Sequence, residues 1–292
     1  MTRPLKSVAF LVFLFLTPLL QAEESANSVT IGLLTGGDPE ASQKQAFIFA
    51  EKIQTKLGKP VKIFISKNYE GLIEALKNKK VDFAILSSLT YVIAEKQAAV
   101  KVLLKKTWGG PYYYSTLVVN QKSKIKSVKD LKQKRIVFVD KNSTSGYLYP
   151  QVFLKKNKLS DSDFKAITFS GNHSASIEAL EQDRADVAAV FADDEKGQVG
   201  AWTRFSKKPA SAFRMIWVSV PIPNDPIVVR QSFYDDNPKL TLEMMYDFIE
   251  IQNDANGSLF EILGKGSLMP ATAKQYDPVR EMYQIFEAEL KP

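Results

Sequence analysis

Strand-like and helix-like segments alternate along this chain in two separate series, and that alternation limits what the chain can fold into. In the first series Val29-Thr30-Ile31-Gly32-Leu33-Leu34 reads as a strand, followed by a helix over about 41–57. Residues 61–65, 69–78, 81–85 and 89–96 continue as strand, helix, strand, helix. The stretch 112–120, rich in aromatic and β-branched residues, is a further strand. The second series runs strand 135–139, a helix to about 155, strand 166–169, helix 174–183 and strand 187–191. Residues 213–220 add a strand, and Pro221, Pro223 and Pro226 mark a return connection. Helical periodicity closes the chain over 238–252 and 278–289. The pattern predicts an α/β protein with parallel strands, in two lobes separated by a cleft.

In such folds ligands lie beyond the carboxyl ends of the strands. The polar residues of interest fall there. Tyr69 follows strand 61–65, and Ser87 with Ser88 follow strand 81–85. Ser143, Thr144 and Ser145 follow strand 135–139, His173 follows strand 166–169, and Asp193 follows strand 187–191. The run Asn142-Ser143-Thr144-Ser145-Gly146-Tyr147 has more hydroxyls than one N-cap requires. At a strand-to-helix turn it predicts an oxyanion cradle, because first-turn N–H groups and the helix dipole favour negative charge. Gly146 would let the backbone approach a ligand. His173 is the sole histidine, and its ring could donate to the same anion from either nitrogen. Asp193 and Asp225 suit an anion only if it carries a P–OH proton, which an ionised carboxylate can accept. They equally fit an acidic helix start and a turn between prolines. Tyr69 and Tyr113 fit either hydroxyl donation to the ligand or packing.

Residues 7–20 are almost wholly apolar, follow Arg3 and Lys6, and precede Leu20-Gln21-Ala22. This reads as a cleaved signal peptide over residues 1–22, the apolar run being short for a membrane span. Of the formal charge of +7, cleavage would remove the two contributed by Arg3 and Lys6. The chain has no cysteine, which excludes a lipoprotein anchor, disulfides and thiolate chemistry and points to a bacterial periplasm. The lysines are dispersed, without a basic block interleaved with aromatics, so nucleic acid is not an expected partner. One histidine, no cysteine and no acidic calcium loop leave no metal motif, and no Walker A or dinucleotide fingerprint implies a cofactor. Ser143, His173 and Asp193 could form a triad on paper, but no G-x-S-x-G elbow supports an enzyme.

Four stretches together resemble the periplasmic solute-binding proteins of phosphonate, phosphite and phosphate ABC importers. They are Asn142-Ser143-Thr144-Ser145-Gly146-Tyr147-Leu148-Tyr149-Pro150, Gly171-Asn172-His173, Ala185-Asp186-Val187-Ala188-Ala189 and Ile222-Pro223-Asn224-Asp225-Pro226-Ile227. Asn68-Tyr69-Glu70-Gly71 is a weaker match. The resemblance spans about 28–290 and implies the two-lobed type II periplasmic binding fold, with a small phosphorus oxyanion as ligand and a membrane permease as partner. It implies no catalysis and no cofactor. It carries ligand contacts onto Ser143, Thr144, Ser145, His173, Asp225, Tyr69 and Tyr113. Asp193 stands where the family has a glutamate, one methylene longer. Ser87-Ser88-Leu89-Thr90-Tyr91 departs from the glycine-containing loops common there. The implied lobes are 28–119 with 226–292, and 120–225, hinged near Asn120 and 225–228. The alternative role is a periplasmic sensing module for a receptor kinase.

Overall fold

The computed structural model describes residues 28–34, 39–107, 110–254 and 266–290. The expected signal peptide lies outside them. The chain begins with β1 (Val29–Leu34), α1 (Pro39–Leu57), β2 (Val61–Ser66), α2 (Tyr69–Lys77), β3 (Phe83–Ile85), α3 (Ser88–Gln97) and β4 (Val100–Thr107). It continues with β5 (Tyr112–Asn120), β6 (Arg135–Phe138), a π-turn at Thr144–Leu148, α4 (Tyr149–Lys156), β7 (Ala166–Phe169), α5 (His173–Glu181) and β8 (Val187–Ala192). Then come α6 (Ala201–Phe205), β9 (Phe213–Val218), β10 (Ile222–Pro223), β11 (Pro226–Arg230), α7 (Gln231–Asp236), α8 (Pro238–Asn253), β12 (Ser267–Pro270) and α9 (Asp277–Leu290).

These elements form two sheets. The first has the order β12-β4-β11-β3-β1-β2, and the second β10-β5-β8-β6-β7 with β9 paired to β5. The βαβ units are parallel as expected: β1 with β2 and β3, and β6 with β7 and β8. The connecting strands are antiparallel, β11 against β3 and β4, and β5 against β8, β9 and β10. Both sheets are therefore mixed, because a chain that crosses between sheets and returns enters each from the opposite end.

Two expectations are corrected here. β5 belongs wholly to the second sheet, with Tyr114 opposite Ala192 and Asn120 opposite Phe213. The first crossing between sheets thus falls between Thr107 and Tyr112, not at 119/120, and Asn120 lies far from it. The return falls between Pro223 and Pro226, as the prolines suggested. β4 itself had no counterpart in the sequence pattern, since its lysines at 101, 105 and 106 obscure the period.

Packing follows the apolar stripes. α1 and α8 cover one face of the first sheet, where Phe49 and Phe248 stack at 5.7 Å. α2, α3 and α9 cover the other face, and their apolar cluster continues into Leu148, Tyr149 and Val152 of the second lobe. α9 straps across the two: Phe286 meets Tyr147 at 5.6 Å, while Arg280 pairs with Glu95 of α3 at 2.6 Å. The carboxyl ends of both parallel series face each other at this junction.

Candidate functional site

A cavity of about 150 Å³ opens between the sheets, lined by residues from both. Its volume is below the ~300–1,000 Å³ typical for drug-sized ligands and fits a small one. Of the ten residues proposed from sequence, nine line it: Tyr69, Ser87, Tyr113, Ser143, Thr144, Ser145, His173, Asp193 and Asp225. Ser88 does not. Ser87 is the N-cap of α3 and faces the cavity, so Ser88, the first helical residue, turns away. It is fully buried, with its hydroxyl donating to the Pro223 carbonyl.

Helix starts converge on the cavity. Asn68 caps α2 by accepting from Gly71 N–H at 2.8 Å, which puts Tyr69 at the first helical position. Ser87 caps α3, accepting from Thr90 N–H at 3.1 Å. Asn172 caps α5 from Ala175 N–H at 2.8 Å and presents His173. Ser143 caps the π-turn, accepting from Gly146 N–H at 3.1 Å. The dipoles of these helix starts make this junction favourable to negative charge. A wide turn of this type, rare in general, is common at functional sites.

The hydroxyls are oriented by what they accept. Ser143 Oγ takes the Gly146 N–H, and Thr144 Oγ1 takes the Leu89 N–H of the opposite lobe at 2.8 Å. Each oxygen therefore keeps its proton for donation. Tyr69 and Tyr113 meet these hydroxyls, Tyr69 with Ser143 and Tyr113 with Thr144 and Ser88. Burial and the nearby Asp225 push both phenols up, so they remain neutral donors. Gly146 has a different reason from the one expected. A Cβ there would lie 2.4 Å from Val139 Cγ2, so the glycine lets the turn pack on the residue that follows β6 rather than admit a ligand.

His173 is neutral: burial, reinforced by the Arg204 charge, lowers it to about 3. A neutral ring donates from one nitrogen only, so His173 offers a single donor. Its Nδ1 is buried without a hydrogen-bond partner among the described residues, and its ring packs edge-on against Phe191 at 4.9 Å. As the one histidine, it gives a single imidazole Cε1–H signal in proton NMR. That signal does not titrate between about pH 8 and 5 in the native protein, and a midpoint near the ordinary value of 6.5 contradicts this environment. Linkage has a definite sign. The depressed value contributes stability that is complete above 6.5 and is lost as pH falls toward about 3.

The sequence reading missed Lys106, Phe191, Arg204 and Asn224, which also line the cavity. Arg204 Nη2 donates to Asp193 Oδ1 at 2.7 Å, and its guanidinium lies 4.8 Å over the Phe191 ring. Asp193 is thus not an acidic helix start: no helix begins there, and its side chain is 8% exposed. Its Oδ2 is buried without a hydrogen-bond partner among the described residues. Burial raises the Asp193 carboxyl, against the opposing pull of Arg204 and Lys106. Asp225 is pushed up to about 6 by burial, with Lys106 and Arg204 resisting. Its loop is held by Tyr276 Oη, which donates to the Asn224 carbonyl at 2.8 Å, and by Lys106 N–H, which donates to the Asp225 carbonyl at 3.2 Å. Among the described residues no group of three or more His, Asp or Glu is placed to hold a metal ion.

A family model described as ABC transporter, phosphonate, periplasmic substrate-binding protein matches residues 31–276. The chain is 29% identical over 289 residues to the Phosphonates-binding periplasmic protein of Escherichia coli (strain K12), covering 94% of this chain and 82% of that one. It is 26% identical over 262 residues to the Phosphate-import protein PhnD of Mycolicibacterium smegmatis (strain ATCC 700084 / mc(2)155), covering 81% of this chain and 79% of the relative. Its fold matches PhnD1 from Prochlorococcus marinus (MIT 9301) in complex with methylphosphonate, with a TM-score of 0.77 at 20% identity, covering 89% of this chain and 98% of that one.

Proposed function

Since the chain belongs to the family of periplasmic phosphonate-binding proteins of ABC transporters, we propose that it holds a phosphonate, phosphite or phosphate in the cavity between its sheets. The observation that carries this reading is the convergence of four helix starts, three hydroxyls and a neutral histidine on one small space. Ser143, Thr144, Ser145 and His173 donate to the phosphorus oxygens together with Tyr113 of the same sheet, and Tyr69 and Ser87 donate from the other side. The carboxylate oxygens of Asp193 and Asp225 accept the P–OH proton. Among the described residues lining the cavity none is read as a nucleophile: the serine hydroxyls act as donors, and neutral His173 lies against Phe191.

Closure of the two lobes surrounds the anion and removes it from water, where its hydrogen bonds strengthen. The chain crosses at 107–112 and 223–226, and these two connections act as the hinge. The N-terminal apolar segment serves as the export signal, and the ligand-loaded form hands its cargo to a membrane permease. The family match favours this transport role over the sensing alternative.

Isothermal calorimetry on the mature chain tests the reading against phosphate, phosphite, methylphosphonate and 2-aminoethylphosphonate. At least one gives saturable 1:1 binding. Absence of heat and of any thermal stabilisation with all four would overturn it.

A further inference from the structure

The proposed ligand contacts leave two cavity-lining cations unused. Lys106 comes from the end of β4 and Arg204 from α6, so they reach the cavity from opposite sheets. Each is set against an acid. Arg204 is bonded to Asp193 at 2.7 Å, and Lys106 of β4 and Asp225, which immediately precedes β11, attract each other and are joined through their backbones at 3.2 Å. The four charges form one cluster, since Lys106 also feels Arg204 and Asp193.

We propose that Lys106, with Arg204, sets ligand selectivity by excluding phosphonates whose substituent carries an ammonium group. This rests on the phosphorus-oxyanion reading of the same cavity. Asp193 and Asp225 would by themselves attract a cationic substituent. Here each already has a protein cation, so a ligand ammonium finds no uncompensated acid and meets two like charges instead. Like-charge juxtaposition in a desolvated site is a strong means of rejection. The carboxylates keep their acceptor function toward P–OH. The ligands favoured are therefore phosphite, phosphate and phosphonates with small uncharged substituents.

Burial and the Arg204 charge lower the Lys106 ammonium to about 8. It remains predominantly protonated at pH 7, where the selectivity operates. Its charge is opposed by Arg204 and supported by Asp225 and Asp193, the charged groups facing it from the packed elements.

The test compares propylphosphonate with 2-aminoethylphosphonate, which differ in replacing a methyl by an ammonium. Calorimetry at pH 7 on the wild-type chain gives propylphosphonate at least tenfold tighter. Lys106→Met, uncharged and of similar length, narrows that ratio by about tenfold. Equal or tighter binding of 2-aminoethylphosphonate by the wild type overturns the proposal without any variant. An unchanged ratio in a folded Lys106→Met protein, or in Lys106→Gln should the first not fold, overturns it also. Binding of phosphite or methylphosphonate without discrimination sinks this inference alone. Failure of every phosphorus oxyanion to bind sinks the proposed function and this inference with it.

Discussion

Removing the hydroxyls of Ser143, Thr144 and Ser145 together lowers methylphosphonate affinity by roughly three orders of magnitude or more. A hydrogen bond to a charged group contributes about 1.5–3 kcal/mol, and three such donors sum past the ~4 kcal/mol that a thousandfold loss requires even with partial compensation. The triple variant Ser143→Ala, Thr144→Val, Ser145→Ala gives this result by calorimetry. The single variants separate two kinds of contribution. Ser145→Ala costs affinity alone, because the bonds that hold the turn among the described residues use Ser143 Oγ, Thr144 Oγ1 and the Ser145 carbonyl rather than its hydroxyl. Thr144→Val also leaves the buried Leu89 N–H without its acceptor, at a cost of about 1–3 kcal/mol in the unliganded fold. A triple variant that binds within tenfold of wild type would sink the cradle.

Arg204→Ala lowers the stability of the unliganded protein by roughly 2–4 kcal/mol at pH 7. Breaking a buried ion pair by deleting one partner typically costs about 3–5 kcal/mol, and the lower range applies because the Arg204 side chain is 25% exposed. For a chain of this size that corresponds to a melting temperature lower by roughly 5–12 °C. The cost arises in the ionised Asp193 left behind. It therefore shrinks as the pH is lowered, because burial raises that carboxyl above its ordinary value and lets it take up a proton sooner. Adding Asp193→Asn to Arg204→Ala recovers more than half of the loss at pH 7. Thermal unfolding of the two variants and the double variant checks this cycle. A loss below about 1 kcal/mol, or no recovery, would show that the pair is not a structural unit.

The parts of the site legible in the sequence share one property: the signal is local. Ser143 to Ser145 and His173 stand within a few residues of a strand end and a helix start, so the turn and the donors appear in one window. The residues that escaped are placed by long-range pairing. Lys106 sits in a strand whose lysines disguise it, and only pairing with β11 and β12 brings it beside Asp225. Arg204 lies on a five-residue helix that no periodicity could mark, and Phe191 and Asp193 fix its direction. Asn224 stood inside a motif from which only the aspartate was read. Ser88 was misjudged because helix phase, not adjacency, decides which of two neighbouring serines faces the cleft.

The fold shows the same division. Parallel βαβ units are encoded locally and appear as expected. The assignment of β5 to the second sheet depends on which strand it meets across space, and its partners β8, β9 and β10 lie far along the chain. The crossing between sheets therefore lies at 107–112 rather than at 119/120.

The central claim concerns where the phosphorus sits. A crystal structure of the mature chain with methylphosphonate tests it most directly. The account predicts the phosphonyl oxygens within hydrogen-bond reach of Ser143, Thr144, Ser145 and His173, with the methyl group directed toward Lys106 and Arg204. Phosphonate density outside this cavity, or oxygens bound instead by Lys106 and Arg204 with the Ser143–Ser145 hydroxyls untouched, would contradict it.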